Sequence, residues 1–197
     1  MELGWGLTPT GRSYFSGVIF QADSEDEIRY SDSDSSNVNA PKIRRKGVQI
    51  QARQAITKQI ATYAALTVQS AEYEAGSNSG KDVPLVPRTL ANIGGVYKLT
   101  SALSYHANLN YVSDQRYMDD DNNTKNRMPA YTLLDMGLRH SEKNWEVEFT
   151  VKNITDEKYA TYGGYGFITK QPSSGYSYYY YPGDPRTFWL SARYRFN

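Results

Sequence analysis

Cysteine is absent from the 197 residues, and histidine occurs only twice. Those scarcities exclude disulfide frameworks, cysteine–zinc sites, thiol nucleophiles and iron–sulfur clusters. A dominant charge is missing too: 22 Lys+Arg against 21 Asp+Glu leave a formal net charge of +1. Surfaces that coat nucleic acid carry a marked basic excess, so nucleic acid is not an expected partner. No apolar run of about 18 residues exists to form a transmembrane helix, and mean hydropathy is −0.67. Neither fact excludes a transmembrane barrel, where only every second residue faces lipid. Met1-Glu2-Leu3-Gly4 offers no basic n-region and no apolar h-region, so no signal peptide is expected there. On that reading the protein stays where it is made, or the chain is a piece of a longer one. What the chain has in plenty is aromatic side chains, 14% of residues, with 18 tyrosines among them. A disordered chain lacks such a load, and the length suits one domain.

The dominant pattern is period-two alternation. Val48, Ile50 and Ala52 alternate with Gln49, Gln51 and Arg53; Tyr105, Ala107, Leu109 and Tyr111 alternate with His106, Asn108 and Asn110. Trp145, Val147, Phe149 and Val151 alternate with Glu146, Glu148, Thr150 and Lys152. Near the C-terminus, Phe188, Leu190, Ala192, Tyr194 and Phe196 alternate with Trp189, Ser191, Arg193 and Arg195. Successive strand side chains point to opposite faces, so each segment has one apolar and one polar face. Weaker segments group Tyr14, Val18, Phe20 and Ala22; Ile60, Ala64, Leu66 and Val68; and Leu134, Met136 and Leu138 opposite Asp135 and Arg139. Thr89–Lys98 is poorly patterned, and Glu2–Leu7 reads as the stub of one more strand. The expectation is eight strands plus a stub.

The connections alternate in length. Thr8–Arg12, Ile56–Gln59, Leu99–Leu103 and Ser141–Asn144 are short, and recur at intervals of about 42 to 48 residues. Ser31–Pro41, Glu74–Pro87, Met118–Pro129 and Ala160–Asp184 are long and polar. Short turns at one end and long loops at the other describe an antiparallel up-and-down transmembrane β-barrel, or a portion of one. Alternation runs of about ten residues are close to what a tilted strand needs to cross a bilayer. Tyr14, Tyr105, Trp145, Tyr194 and Phe196 sit beside the short turns, as an interfacial aromatic girdle would. A soluble sandwich also predicts alternation, with its apolar faces meeting in a core.

Several segments, in order, resemble TonB-dependent outer-membrane receptors. Arg45-Lys46-Gly47-Val48-Gln49-Ile50-Gln51-Ala52 is similar to that family's "R-x-G-x-E-x-x-A"-like strand, and Phe20 through Asp26-Glu27-Ile28 to the strand before it. Val83-Pro84-Leu85-Val86-Pro87-Arg88 resembles a "P-x-x-P-R/K" loop end, and Val151 through Tyr159 a "V-x-N-L-x-D-x-x-Y" element. Pro182 through Phe188 and the terminal Tyr194-Arg195-Phe196 resemble the last strand. The resemblance implies a 22-stranded barrel with an internal plug and a TonB box. It implies TonB-dependent uptake of ferric siderophores, cobalamin, haem or similar scarce solutes across the bacterial outer membrane. It covers the last eight strands and the end of the one before, so residues 1–197 read as a C-terminal barrel segment, and no stretch resembles the plug or the TonB box. The terminal aromatic that barrel-assembly machinery reads would be Phe196, followed here by Asn197.

Candidate ligand-binding residues are the loop aromatics Tyr162, Tyr165, Tyr176, Tyr178 and Tyr180, since tyrosine offers amphipathic contact area at low entropic cost. An aromatic strand extension is the plainer reading of the same residues. Candidate lumen-facing residues are Arg53, His106, Asp135, Arg139, Glu148, Lys152 and Arg193; they could contact a plug or guide solute, or pair across strands. Asp119-Asp120-Asp121-Asn122-Asn123 has the oxygens for a hard cation but reads better as a solvated loop tip, and Ser31-Asp32-Ser33-Asp34 lacks the glycine of an EF-hand turn. No motif sets His106 or His140 beside a nucleophile, and Gly76-Ser77-Asn78-Ser79-Gly80 centres on Asn78 where a nucleophile elbow needs Ser. Enzymatic activity, a cofactor and a metal are therefore not expected. Asn122-Asn123-Thr124 and Asn153-Ile154-Thr155 match a glycosylation pattern that is incidental in a bacterial outer membrane.

The resulting expectation is an outer-membrane receptor segment for a ferric siderophore or similar solute. Its expected partners are outer-membrane lipid, the plug with TonB acting through it, and the assembly machinery. The competing readings are a small closed outer-membrane barrel acting as hydrolase or adhesin, and a soluble, tyrosine-rich carbohydrate-binding β-sandwich.

Overall fold

The computed structural model describes residues 1–31, 36–118, 120–170 and 173–196. Asp32, Ser33, Asp34, Asp119 and Asn197 lie outside the described residues. In chain order the strands are β1 (Glu2–Thr10), β2 (Ser13–Ser24), β3 (Ile28–Ser31), β4 (Ser36–Asn39), β5 (Ile43–Ala55), β6 (Ile60–Tyr73), β7 (Thr89–Lys98) and β8 (Leu103–Val112). They continue as β9 (Gln115–Arg116), β10 (Arg127–Met128), β11 (Tyr131–Glu142), β12 (Trp145–Lys152), β13 (Ala160–Lys170), β14 (Ser173–Pro182) and β15 (Thr187–Tyr194). Nine of them make one sheet in the order β1-β2-β5-β6-β7-β8-β11-β12-β15, each neighbour antiparallel to the last. The sheet is an up-and-down meander. Among the described residues the parallel contact is an isolated bridge between loops, Met118 with Gly164.

Three expectations are corrected. The stub Glu2–Leu7 is a full strand, Glu2–Thr10, held along β2 from Glu2 opposite Phe20 to Thr10 opposite Ser13, so nine strands cross where eight and a stub were expected. Three of the long connections are structured: Ser36–Asn39 falls inside the first, β9 and β10 bracket the third, and Ala160–Asp184 is mostly the hairpin β13–β14. The apolar grouping in β2 is inverted. Tyr14 lies opposite Arg53 and Val18 opposite Gln49, so Tyr14, Val18, Phe20 and Ala22 share the polar face, and Phe15 and Ile19 take the apolar one. The register across the sheet overrides β2's own weak pattern, because residues directly opposite must share a face.

Local chemistry explains the short turns. Thr57 Oγ1 accepts hydrogen bonds from the amides of Gln59 (3.0 Å) and Ile60 (2.9 Å). Thr100 Oγ1 does the same for Ala102 (3.2 Å) and Leu103 (2.9 Å). A hydroxyl that satisfies two amides stabilises a tight reversal.

Burial is arranged in reverse of a soluble domain. The buried apolar residues Ala40, Ile43, Tyr73, Tyr117 and Met128 lie at or near the long-loop end. Along the sheet, one face is continuously apolar: Ile19 opposes Val48, which opposes Val68; Leu109 opposes Ile93 and Leu134; Phe149 opposes Leu138 and Leu190. Most of these side chains are exposed, Ile93 at 57% and Leu190 at 75%, while Leu109 and Leu134 are half-buried. A second sheet covers this face nowhere among the described residues, which removes the sandwich reading. β1 and β15 are the two outer strands and do not pair with each other, so the sheet does not close on itself as a small barrel. The girdle residues Tyr105, Trp145 and Tyr194 stand on the apolar face, with Trp145 and Tyr194 rings 4.9 Å apart, whereas Tyr14 does not.

Candidate functional site

The hairpin that carries the candidate ligand tyrosines is inserted between β12 and β15, and its base is fixed by one residue. Asn153 follows β12 with φ of 49°, in the left-handed region that Asn tolerates better than most residues. Its amide donates to Asp135 Oδ1 (2.8 Å) on β11. Its side-chain Nδ2 donates to the carbonyls of Glu157 (3.0 Å) and Asp184 (3.1 Å), and its Oδ1 accepts from the amide of Glu157 (2.9 Å). Asp156 accepts from the Arg186 amide (2.9 Å), and the Gly183 amide donates to the Tyr159 carbonyl (2.8 Å). The Tyr159 ring packs on Tyr131 at 4.6 Å. Asp135 is thus a clamp residue as well as a member of the polar face. The "V-x-N-L-x-D-x-x-Y"-like element is a clip that sets both feet of the hairpin on the sheet.

Above the clip, β13 and β14 pair in a long ladder. Direct opposition sets Tyr165 against Tyr178, Phe167 against Tyr176 and Gly163 against Tyr180, so Tyr165, Tyr176, Tyr178 and Tyr180 share one face. Tyr178 lies 5.0 Å from Tyr165 and 4.8 Å from Tyr117, and Tyr165 stacks against Tyr176 at 6.1 Å. Lys125 Nζ sits 4.2 Å over the Tyr165 ring, a cation–π geometry. Tyr162 occupies the opposite face, where its hydroxyl bonds Met118 Sδ, with its ring 5.4 Å from Tyr181. Gly164 admits the Tyr179 ring directly over the backbone, where a Cβ would lie 2.5 Å from the hydroxyl. Tyr165 and Tyr178 are half-buried in these contacts, while Tyr176 (70%) and Tyr180 (62%) present exposed rings. Tyr117, Lys125 and Phe167 belong to this face and carried no sequence signal. Tyr117 and Lys125 reach it from a different loop.

The loops beneath are held by ion pairs on carboxylates that are wholly or largely buried. Asp82 receives Arg88 (2.7 Å) and Arg127 (2.5 Å), with Arg116 at 3.9 Å. Asp120, fully buried, accepts from Arg116 and from the amides of Thr124 (2.8 Å) and Lys125 (3.0 Å). Asp121 accepts from Arg29 and from the Tyr73 hydroxyl (2.5 Å). The expected solvated tip is packed at Asp120 and Asp121, whose carboxylates are both engaged, and no metal-holding cluster occurs among the described residues. Arg45 grips Glu27 through two bonds of 2.7 and 2.8 Å. That pairing, helped by Ser24, holds the Glu27 carboxyl at about 2. Burial pushes the Tyr117 hydroxyl up from its ordinary value.

The register places Arg53, His106, Asp135, Arg139, Glu148, Lys152 and Arg193 on one polar face. A cavity of about 590 Å³ bounded by Tyr14, Arg53, Tyr63 and Val96 opens on that face. Arg139 pairs with Glu148 at 2.9 Å, His106 stands 3.5 Å from the same carboxylate, and Arg193 lies 3.6 Å from Glu146. Lys152 covers the Trp189 ring at 5.4 Å. Gly137 lets the His106 ring pass over the backbone, where a Cβ would meet it at 2.5 Å. Tyr63 donates to Asn108 (2.8 Å), and Asn92 to Asn108 (2.8 Å) and Asn110. This is a wet, hydrogen-bonded wall.

Residues 1–154 match the family model described as TonB dependent receptor-like, beta-barrel. The chain is 26% identical over 168 residues to the ferrioxamine receptor of Yersinia enterocolitica, covering 80% of this chain and 23% of that protein. It is also 26% identical over 191 residues to the catecholate siderophore receptor Fiu of Escherichia coli strain K12, covering 94% of this chain and 24% of that protein. The crystal structure of the ferric yersiniabactin uptake receptor FyuA from Yersinia pestis shares the fold, with a TM-score of 0.78 at 23% identity, over 100% of this chain and 29% of that one. The chain thus spans about a quarter of the length of the curated relatives it matches.

Proposed function

This chain belongs to the TonB-dependent receptor-like β-barrel family, and from that premise we propose that the protein it helps build takes up a ferric siderophore or similar scarce solute. Barrels of this family are bacterial outer-membrane proteins, so the apolar face described above meets lipid and the polar face lines the lumen. The long-loop end then faces the exterior. Tyr165, Tyr176, Tyr178 and Tyr180 form the aromatic surface that meets the ferric chelate, with Tyr162 supporting the hairpin from behind. Bound solute passes along the polar wall when the plug of the family moves, driven through TonB. Phe196, packed 4.8 Å from Tyr194, offers the terminal aromatic to the assembly machinery. The relatives are named as receptors, and the proposed role contains no catalytic step.

The observation that carries this reading is the aromatic face of Tyr165, Tyr176, Tyr178 and Tyr180 on a clipped hairpin, with Tyr176 and Tyr180 exposed. Its test is siderophore binding and radiolabelled iron uptake by the full receptor in cells lacking their own receptors. Tyr176→Ala and Tyr180→Ala are each expected to weaken binding roughly fivefold, the loss of ~1 kcal/mol of aromatic contact, with unchanged amounts of receptor in the outer membrane. Unchanged affinity in both variants would count against ligand contact at this face.

A further inference from the structure

The hairpin β13–β14 carries no carboxylate: from Ala160 to Pro182 its one charged residue is Lys170. A cation reaches its tyrosine face from the loop between β9 and β10. Lys125 Nζ lies 4.2 Å from the centre of the Tyr165 ring, and the backbone around it is fixed. Buried Asp120 accepts the amides of Thr124 (2.8 Å) and Lys125 (3.0 Å), and the Asn126 amide donates to the Tyr178 hydroxyl (3.2 Å). Lys125 itself is half-buried and forms no ion pair among the described residues. The other described charges of this loop and its flanking strands are all engaged: Asp120 with Arg116, Asp121 with Arg29, and Arg127 with Asp82 and Asp114.

We propose that Lys125 makes this face selective for an iron chelate of net negative charge, which rests on the reading that the tyrosine face meets the cargo. A lysine head has three donors, and the Tyr165 ring covers only one side of it, so the rest can turn to ligand oxygens. Phe167 (61% exposed), Tyr176 and Tyr180 share the face with Tyr165 and supply exposed ring surface, with the two tyrosine hydroxyls as further donors. The hairpin offers no carboxylate to offset Lys125, and arginines neutralise Asp120 and Asp121 in the loop. An anion therefore gains Coulomb attraction at Lys125 without displacing a protein carboxylate. A neutral chelate gains only ring contact and hydrogen bonds, and a cationic one meets repulsion. Ferric iron held by three catecholate dianions carries surplus negative charge, whereas three hydroxamate monoanions leave it neutral.

The experiment uses the full receptor in detergent micelles, titrated in a calorimeter with two ferric complexes built on the same tripod, a trianionic tris-catecholate and a neutral tris-hydroxamate. The variants are Lys125→Gln, Lys125→Arg and, as a matched loss of charge on the apolar-side row of β5, Lys46→Gln. Heat-modifiable mobility verifies the fold of each. The parent is expected to prefer the trianion. Lys125→Gln should weaken the trianion about tenfold and leave the neutral complex unchanged, while Lys125→Arg and Lys46→Gln bind both like the parent. An unchanged trianion affinity in Lys125→Gln overturns the inference. So does an equal loss for both complexes, which would make Lys125 a support for Tyr165 and nothing more. Either result leaves the siderophore reading standing if Tyr176→Ala and Tyr180→Ala still weaken binding. A parent that binds neither complex counts against both.

Discussion

Two single residues decide how the long-loop end is held. Asn153 makes three side-chain hydrogen bonds from a buried position with positive φ. Asn153→Ala is expected to destabilise the folded wall by about 4 kcal/mol, from ~1 kcal/mol for each of the three buried hydrogen bonds and about 1 more for Ala in the left-handed region. Asn153→Gly removes the same bonds but not the backbone freedom, so it should cost less by about 1 kcal/mol. Urea unfolding of the receptor in lipid vesicles reads both. The second residue is Glu27, held at about 2 by Arg45 against an ordinary value of 4.5. A carboxylate lowered on folding stabilises the fold fully above its unfolded value and loses that contribution as pH falls toward its folded one. Between pH 4.5 and about 2 the segment should loosen. The exchange rate of the Ala40 amide, bonded to the Glu27 carbonyl at 2.8 Å, should rise through that window, and Glu27→Gln should abolish the pH dependence. Because Glu27 is partly exposed, solvent screening keeps the effect local.

Adjacent residues of one strand face different media. On β12, Phe149 lies between Leu138 and Leu190 on the apolar face, and Thr150 lies between Gly137 and Trp189 on the polar one. Phe149→Arg is expected to lower assembled receptor in the outer membrane, since a mid-membrane cation costs about 2–4 kcal/mol, while Thr150→Arg should be tolerated. Heat-modifiable mobility after outer-membrane extraction separates them, and equal tolerance would contradict the lipid assignment of the face. The alternation in β5, β8, β12 and β15 was legible because each carries a strong pattern on its own. That of β2 was not, because Phe20 and Val18 are apolar residues on the polar face, and only pairing with β5 shows it. The tyrosine segment was legible as aromatic-rich but read as loop, since it alternates tyrosine with glycine and serine and both faces carry rings.

For the molecule as a whole, the decisive feature is a curved sheet with two free edges, β1 and β15. Unpaired backbone groups are not tolerated in hydrocarbon, and barrel width grows with strand number, so nine strands suited to a wide barrel do not close on themselves. These 197 residues expressed alone behind an export signal are therefore expected to give no TonB-dependent accumulation of radiolabelled iron. Accumulation that depends on TonB would show that the segment carries its own gate.

Amino-acid pattern by itself determined the class of fold, the antiparallel order and the two ends, because period-two alternation and turn chemistry are local. The Asn153 clip, the gathering of Tyr117 and Lys125 onto the tyrosine face, and the ion pairs around Asp82 and Asp120 were decided only by tertiary structure. Each depends on residues far apart in sequence, and a linear pattern carries no information about which distant charge or ring will be its neighbour.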